Sequence, residues 1–481
     1  IDNEYVDQNF ILEKNAKVLL LNKNDDLMIE ITRHSCAHLL AHAFTELYPE
    51  SKITIGPVTK NGFYYDFYTD NKVSNKDLKN IENKMSYISN LQLDIIRIKS
   101  SKNEAEKIFN NNKYKLELIK DINEDIFLYK QGNFIDLCKG PHLPNTKDIK
   151  YFKLLRTSGA YWNNDKKNEM LQRIYGTAYT NEIDLNFNLN KLEIIKKNDH
   201  RKIGKNLDLF HFKKDNPGAI FWHNKGWSIY IEIINYIRKK FKDNNYIEVN
   251  TPTIVESELF VKSGHLEKFD NNLFKIKTDN NMFILKPMNC PCHVEIFKSS
   301  SKSYKDFPIR YAEFGSCFRN EISGSLYGLM RLKNFTQDDG HIFCLENQIN
   351  TEIVTFINLL KTVYNDFGFK KIETRLSKRP INRIENDEIW EKAENYLEKA
   401  IELSGCDYSI SNDGAFYGPK IEFLLNDCFE RKWQCGTIQL DFFTGKRLNA
   451  KFTNKDGLIS SPIILHRAIL GSIERFIGIL I

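Results

Sequence analysis

Apolar and polar positions along this chain follow two rhythms in successive blocks: a period near 3.6, which predicts helices, and a period of two, which predicts strands. The clearest block is Arg310 to Cys344, RYAEFGSCFRNEISGSLYGLMRLKNFTQDDGHIFC. It opens with an apolar-alternating segment, passes a loop holding Gly324, Ser325 and Gly328, and returns from Leu332 to Phe343, which predicts a β-hairpin. Charged residues recur inside it at Arg319, Glu321, Arg331, Asp338 and Asp339, where a purely structural hairpin would carry one solvated row. Two readings are open. One is an exposed salt-bridged pair. The other is a site in which Arg319 and Glu321, two residues apart on one strand face, order each other and grip a phosphate, with His341 on the returning strand as a metal ligand.

Helical rhythm marks three further stretches. In HSCAHLLAHAFTELYP, Leu39, Leu40, Ala43, Phe44 and Leu47 make an apolar stripe, and His34 and His38, four apart, share one face. Leu185 through His200 reads as one helix ending near Gly204. The segment FWHNKGWSIYIEIINYIRKKF is amphipathic and is followed by the strand-like YIEVNTPTI. Near the start, Val18–Leu21 and Leu27–Ile31 flank a turn-like Asn24-Asp25-Asp26, as expected for the end of a small β-rich leader. The chain starts at Ile1 and stops at Ile481 inside an apolar helical pattern, so it reads as a fragment.

Composition narrows the class. A length of 481 residues predicts about two to four domains. With 41% apolar residues, a mean hydropathy of -0.47 and no apolar run near the ~18 residues of a membrane span, a globular protein with no membrane association is expected. The net charge of +6 permits an acidic macromolecular partner without demanding one. Nine cysteines, an odd number in a long chain, argue against a disulfide framework and for a cytoplasmic location.

Several residues carry chemistry by type and spacing. Cys138-Lys-Gly-Pro-His142 sets a thiol and an imidazole around a turn, just after Asp136. With His34 and His38 it makes a metal-like donor set, or a group of satisfied polar side chains; the pair lacks the Glu of the zinc-protease pattern HExxH. Cys290, in KPMNCPCH, reads by itself as a small buried apolar residue.

Phe318-Arg319-Asn320-Glu321 resembles motif 2 of the class II aminoacyl-tRNA synthetases. HSCAH (34 to 38), LCKGPH (137 to 142), SGAYWNNDKKNEMLQRIYGTAY (158 to 179), KPMNCPCH (286 to 293), AFYGPKIEF (415 to 423), QCGTIQLDF (434 to 442) and LHRAILGSIERF (465 to 476) are similar to segments of the threonyl-type members of that family. They span nearly the whole chain. The resemblance implies a multi-domain α+β fold, an antiparallel six- or seven-stranded sheet flanked by helices and preceded by an α+β editing domain. Its expected parts are the end of an ubiquitin-like domain at 1–30, the editing domain at 31–183, a linker helix at 184–207 and the catalytic domain at 208–481. The last is expected to be cut within motif 3, with the anticodon-binding domain that follows in the family lying beyond the sequence.

The resemblance also assigns roles. It implies Zn2+, one per subunit, on Cys290, His341 and His466, and Mg2+ with ATP. Arg319, Glu321 and Arg475 are the catalytic residues, with Arg331 assisting. Asp339 takes the ammonium group of L-threonine, and Gln337, Tyr417, Lys420, Gln434, Gln439 and Ser472 complete the substrate pocket. His34, His38, Cys138 and His142, with Asp136, Tyr65 and Lys115, form a pocket that hydrolyses mischarged seryl-tRNA(Thr), whether or not it holds a metal. The partners implied are ATP, L-threonine and tRNA(Thr), in a homodimer built through motif 1, the stretch ending at Pro252. Two departures stand out: Cys292 replaces a glycine, and Trp433 sits where a small residue is commoner. A noncatalytic tRNA-binding paralogue would have lost Arg319, Arg475 or a metal ligand; a freestanding editing hydrolase would lack the motif 1-to-3 region.

Overall fold

The structure, a computed structural model, describes residues 5–481 apart from 9, 13–14, 23–24, 71–72, 166–167, 265, 267–271, 382 and 384–386. It divides into two compact units, Ile1–Glu193 and Ile194–Ile481.

In the first unit, helix Asp26–Leu47 lies on a sheet in the order Lys52–Ile53, Gly62–Tyr68, Met170–Tyr179, Tyr151–Tyr161, with Val58–Thr59 paired to the second of these. Of the expected apolar stripe, Leu39, Leu40, Ala43 and Phe44 are fully buried and Leu47 at its end is half-buried, and Phe44 stacks on Phe67 of the sheet at 3.9 Å. A smaller sheet of Ile95–Ser100, Ile126–Gln131 and Phe134–Leu137 delivers the chain to Cys138. The helix begins earlier than expected. Residues 27–31 are its first turns rather than part of a β leader, and the boundary drawn at residue 30 falls inside it. Asn24 of the expected turn lies outside the described residues.

The stretch read as one linker helix is two, Glu182–Lys197 and His200–Asn206. Asp199 interrupts them. Its carboxylate accepts the Arg201 amide as an N-cap, which competes with continuation of the first helix.

The second unit is built on a sheet of eight strands among the described residues. Their order is Ile247–Glu248, Ile309–Phe318, Asn334–Cys344, Ile463–Ser472, Lys432–Asp441, Lys420–Asn426, Glu373–Ser377, Tyr408–Ser411. The antiparallel sheet flanked by helices is as expected, with more strands than the six or seven foreseen. The additions are the short edge strands Ile247–Glu248 and Tyr408–Ser411, each parallel to its neighbour. The strand expected over YIEVNTPTI breaks into Ile247–Glu248 and Ile254–Glu256. Pro252 has no N–H to offer a ladder, and the Thr251 amide turns to the Glu313 carboxylate instead.

Strands Ile309–Phe318 and Asn334–Cys344 form the hairpin read from the sequence, in register from Ile309 opposite Phe343 to Phe318 opposite Asn334. Helices Asn224–Asp243, Ile349–Asp366 and Asp387–Leu403 cover one sheet face. Ile237, Phe241, Ile353, Phe356, Leu360, Leu397 and Ile401 pack there against Ile342, Leu465, Ile438 and Ile421. Their neighbours one residue away point to the opposite face, and these are the polar residues of the candidate site.

Candidate functional site

Antiparallel pairing sets His341 opposite His466, and His466 opposite Gln439, across three adjacent strands. Helix Cys290–Lys298 crosses this face and presents Cys290 from its first turn. The Nε2 of His341 lies 2.9 Å from the Nδ1 of His466, and the Cys290 Sγ lies 4.0 Å from the His466 Nε2. All three residues are buried, and one donor atom from each falls within 4.8 Å of the others. Cys292 is on the same helix rather than on an extended strand, so two residues turn it by about 200°. It faces Lys286, Glu313 and Thr251.

Sequence reading missed the layer behind these donors. His341 Nδ1 is 2.8 Å from His293 Nδ1, and His293 Nε2 is 3.0 Å from Glu313 Oε2. Lys286 Nζ donates to Glu313 Oε1 at 2.9 Å and to the Thr251 hydroxyl at 2.7 Å. His466 Nε2 in turn meets Asp441 Oδ2 at 2.9 Å. Both imidazoles of the trio thus lean on a carboxylate, His341 through His293. The spacing of His293, one helical turn past Cys290, and the alternation that points Glu313 inward were the available signals.

The trio fits a metal chemically. Burial pulls His341 well below its usual value, helped by His466 and His293, so it is a neutral donor. Burial also pushes the Cys290 thiol well up, with Asp441 and Asp339 adding to it, so a cation is what would ionise this sulfur. A soft divalent ion suits one thiolate and two imidazoles.

Beside the trio, Asp339 accepts a hydrogen bond from Asn289 Nδ2 at 2.9 Å, while Asn289 Oδ1 is buried with no protein partner. That pairing leaves one carboxylate and one spare acceptor for an ammonium group. Tyr417 packs 5.2 Å from the His466 ring, and Gln439 donates to the Gly418 carbonyl at 2.8 Å. Lys420 pairs with Glu422 at 2.6 Å.

Arg319 and Glu321 lie just beyond the strand end at Phe318 and do not share a strand face. Glu321 pairs instead with Arg331 at 3.2 Å, and Arg319 stacks over Phe335 at 5.1 Å. Arg475, in helix Ile473–Leu480, donates from Nε to the Met330 carbonyl at 2.9 Å and from Nη1 to the Gln434 carbonyl at 2.8 Å, with Trp433 beneath it at 5.4 Å. Burial lowers its pKa, and the field of Arg319 and Arg331 adds to that. Three guanidiniums so close, with Glu321 their single carboxylate partner among the described residues, make an anion site.

The turn into that helix is held from behind. Asp338 accepts three successive amides, Ile469, Leu470 and Gly471, at 2.8, 2.9 and 2.8 Å. Gln337 lies opposite Ser472, whose hydroxyl caps the helix by accepting the Arg475 amide. Burial pushes Asp338 up to about 7 against Arg467 and those amides, and raises Glu474 to about 7 as well.

In the first unit His34, His38, Cys138 and His142 converge, with the Cys138 Sγ 3.1 Å from His34 Nε2 and 3.3 Å from His142 Nε2. Burial lowers all three imidazoles and pushes the Cys138 thiol up to about 12, so the pocket presents neutral bases. Beneath it, Asp136 takes the Tyr65 hydroxyl at 2.5 Å and the buried Lys115 ammonium at 2.5 Å. The charge of Lys115 is therefore paired within the wall. Asp7, unmarked in the sequence reading, accepts the His142 amide at 2.9 Å and the Tyr129 hydroxyl at 2.6 Å.

Two family descriptions match this chain: the tRNA synthetase class II core domain (G, H, P, S and T) over residues 274–481, and the Threonyl and Alanyl tRNA synthetase second additional domain over 126–175. The chain is 50% identical to the threonine–tRNA ligase of Ruthia magnifica subsp. Calyptogena magnifica, over all of this chain and 77% of that protein. It is 51% identical to that of Ehrlichia canis, again over all of this chain and 77% of the relative. A crystal structure of the RNA binding domain of threonyl-tRNA synthetase from Cryptosporidium parvum matches at a TM-score of 0.57 and 41% identity, covering 59% of this chain and 71% of that one.

The Glu313 network predicts a pH dependence of stability. Burial alone would raise this carboxyl, yet His293, the Thr251 amide and Lys286 outweigh it and hold Glu313 at about 2, below its ordinary 4.5. A lowered folded pKa contributes stability that is present above pH 4.5 and lost as pH falls toward 2, on the order of 3 kcal/mol in full. Urea unfolding of the Glu313→Gln variant should show a deficit of that order at pH 7 that closes across this window. A deficit independent of pH would refute the assignment.

Proposed function

This chain belongs to the threonine–tRNA ligase family of class II aminoacyl-tRNA synthetases, and we propose how its residues share the ligation of threonine to tRNA. In the first step the carboxylate of L-threonine attacks the α-phosphorus of ATP, pyrophosphate leaves, and threonyl-adenylate forms. In the second, a ribose hydroxyl at the 3′ end of tRNA(Thr) attacks the acyl carbon and AMP leaves. The single observation that carries the assignment is the convergence of Arg319, Arg331 and Arg475 with Glu321, at the ends of the strands that bear His341 and His466.

Arg319 holds the α-phosphate, where its guanidinium offsets charge that builds as oxygen attacks, and Glu321 faces the adenine side. Arg475 meets the γ-phosphate end and Arg331 assists. Mg2+ enters with the nucleotide. Asp339 takes the ammonium group, oriented by Asn289. Tyr417, Lys420, Gln434 and Gln439 wall the pocket, with Gln337 and Ser472 at its motif 3 edge. Zn2+ on Cys290, His341 and His466 would supply a Lewis acid with open positions for the amino and hydroxyl groups of threonine.

Selectivity follows from the donor set. A site built to hold a hydroxyl rejects valine strongly, because its polar groups are left unpaired. Serine keeps the hydroxyl, and losing one methyl removes only ~1 to 3 kcal/mol, too little for protein synthesis. A second, hydrolytic pocket answers that shortfall. Residues 31–183 serve as the editing domain, where His34, His38 and His142 as neutral bases position and activate a water against the ester of seryl-tRNA(Thr), with Cys138 in the pocket wall and Asp136, Tyr65 and Lys115 as its support. Residues 184–207 link it to a catalytic domain at 208–481; the helix that carries His34 and His38 begins at Asp26, so the editing domain takes in that whole helix and only the residues before Asp26 are left to a preceding domain.

Exposed Trp227 and Ile247 along motif 1, with Ile254 just past its end, favour a homodimer through that stretch. Nine free cysteines favour the cytoplasm. Among the described residues no helix is long and apolar enough to cross a membrane.

The direct test is ATP–pyrophosphate exchange: it should depend on threonine, proceed weakly with serine and fail with valine, and exchange without threonine dependence would reject the reading. For the metal, Cys290→Ser should lose both bound zinc and threonine activation while Cys292→Gly retains both. Zinc kept in the first and lost in the second would overturn the ligand set. For editing, His34→Ala should leave adenylate formation within about twofold and let seryl-tRNA(Thr) accumulate. Unchanged deacylation in that variant would remove His34 from the pocket's chemistry.

A further inference from the structure

The short helix His200–Asn206, read from sequence as part of a linker, meets the loop of the nucleotide subsite from its first turn. His200 is buried, and its Nε2 accepts the backbone N–H of Leu329 at 3.1 Å. Leu329 belongs to the tight turn Gly328–Met330, between the hairpin strands. The fit there is close: Gly328 has a φ of +50°, and a Cβ at that position would sit 2.1 Å from the His200 Nε2. Next to Leu329, the Met330 carbonyl accepts Arg475 Nε at 2.9 Å, and one residue further Arg331 pairs with Glu321. A second contact joins the same helix to the same turn, since Arg201 lies over the Tyr327 ring at 4.5 Å. One turn therefore carries two of the three clustered guanidiniums, one by its carbonyl and one by its own side chain, and His200 holds it.

We propose that His200 is a positioning residue of the nucleotide subsite, which by accepting the Leu329 amide fixes the turn that aims Arg475 and Arg331. The inference rests on the reading that these arginines meet the phosphates of ATP. An acceptor at Nε2 requires a neutral ring with its proton on Nδ1. Burial, with Arg201 and Arg431 nearby and Asp199 and Asp427 opposing them, holds His200 at about 4, so the acceptor persists across the physiological range. Without it the Leu329 N–H is left buried and unpaired, and the turn shifts to find a partner. A displaced Met330 carbonyl no longer orients Arg475, and a guanidinium displaced by about 1 Å loses much of its hold on a phosphate.

Threonine-dependent ATP–pyrophosphate exchange on the whole protein tests this. His200→Ala and the bulkier His200→Phe both lack the acceptor and should raise the KM for ATP about tenfold, with the KM for threonine and the bound zinc unchanged. His200→Gln, whose Oε1 can take the same amide, should restore the ATP KM to within about threefold. A parallel rise of both KM values, an unchanged ATP KM in the Ala and Phe variants, or a Gln variant as impaired as Ala would overturn the proposal. Should neither acceptor-free variant fold, nitrogen-15 NMR of the unmutated protein decides, since an Nε2 carrying a proton between pH 6 and 8 would overturn it and an unprotonated, hydrogen-bonded one would support it. Unmutated protein with no threonine-dependent exchange defeats the functional reading itself; active protein whose His200 variants keep the ATP KM defeats only this inference.

Discussion

Register between Asn334–Cys344 and Ile463–Ser472 is the constraint on which the catalytic unit depends. Each strand alternates between an apolar row that closes the helix-covered core and a polar row that makes the site. Setting His341 opposite His466 places Ile342 opposite Leu465 in the same act. A slip of either strand by one residue would turn its histidine into the core and expose its isoleucine or leucine, so the hydrophobic effect that fixes the fold also fixes the donor set. The strand pair therefore needs no separate device to bring ligands together from positions 125 residues apart.

Buried charge is then the second requirement, and it is met by pairing. Glu313 sits among His293, Lys286 and the Thr251 amide, and Asp441 is held low despite burial by His466 and Thr444. Asp338 and Glu474 are met less fully and are raised to about 7. Both grip the turn that starts the helix of Arg475, Asp338 by three backbone amides and Glu474 by the Ser472 hydroxyl, so the less compensated carboxylates lie beneath the anion site, where removing the Asp338 acceptor would leave three amides unpaired and free the turn.

Much of this was legible from the chain. The hairpin, the buried stripe of the first helix and the pairing of His34 with His38 on one helix face follow from period, and the structure keeps them. What was illegible depended on competition between local and long-range partners. Thr251 gives its amide to Glu313, which ends a strand that β-propensity would continue, and Asp199 caps a helix that apolar rhythm would extend. Glu321 was paired by proximity with Arg319, yet the strand stops at Phe318 and Arg331, from across the loop, takes it. His293, Asn289 and Glu313 were in view but unremarked, because their importance lies in what stands behind a donor, and spacing does not encode that.

The two histidine-rich pockets use similar side chains, and the groups behind those side chains separate them. In the catalytic unit His466 rests on Asp441 at 2.9 Å, and His341 rests on His293, which rests on Glu313 at 3.0 Å. A carboxylate behind an imidazole fixes its tautomer and raises its basicity toward a cation. In the pocket of the first unit His142 Nδ1 meets the neutral Ser35 hydroxyl at 3.1 Å, and the Asp136 carboxylate stands 3.6 Å from His38 and is already taken by Tyr65 and Lys115. Those imidazoles are held in place with less carboxylate support, and burial keeps them uncharged. Such rings can take a proton from water when an ester is bound and return it to the leaving ribose oxygen. On the proposed reading the same residue types serve cation binding in one unit and proton transfer in the other, and the groups behind them differ in that sense.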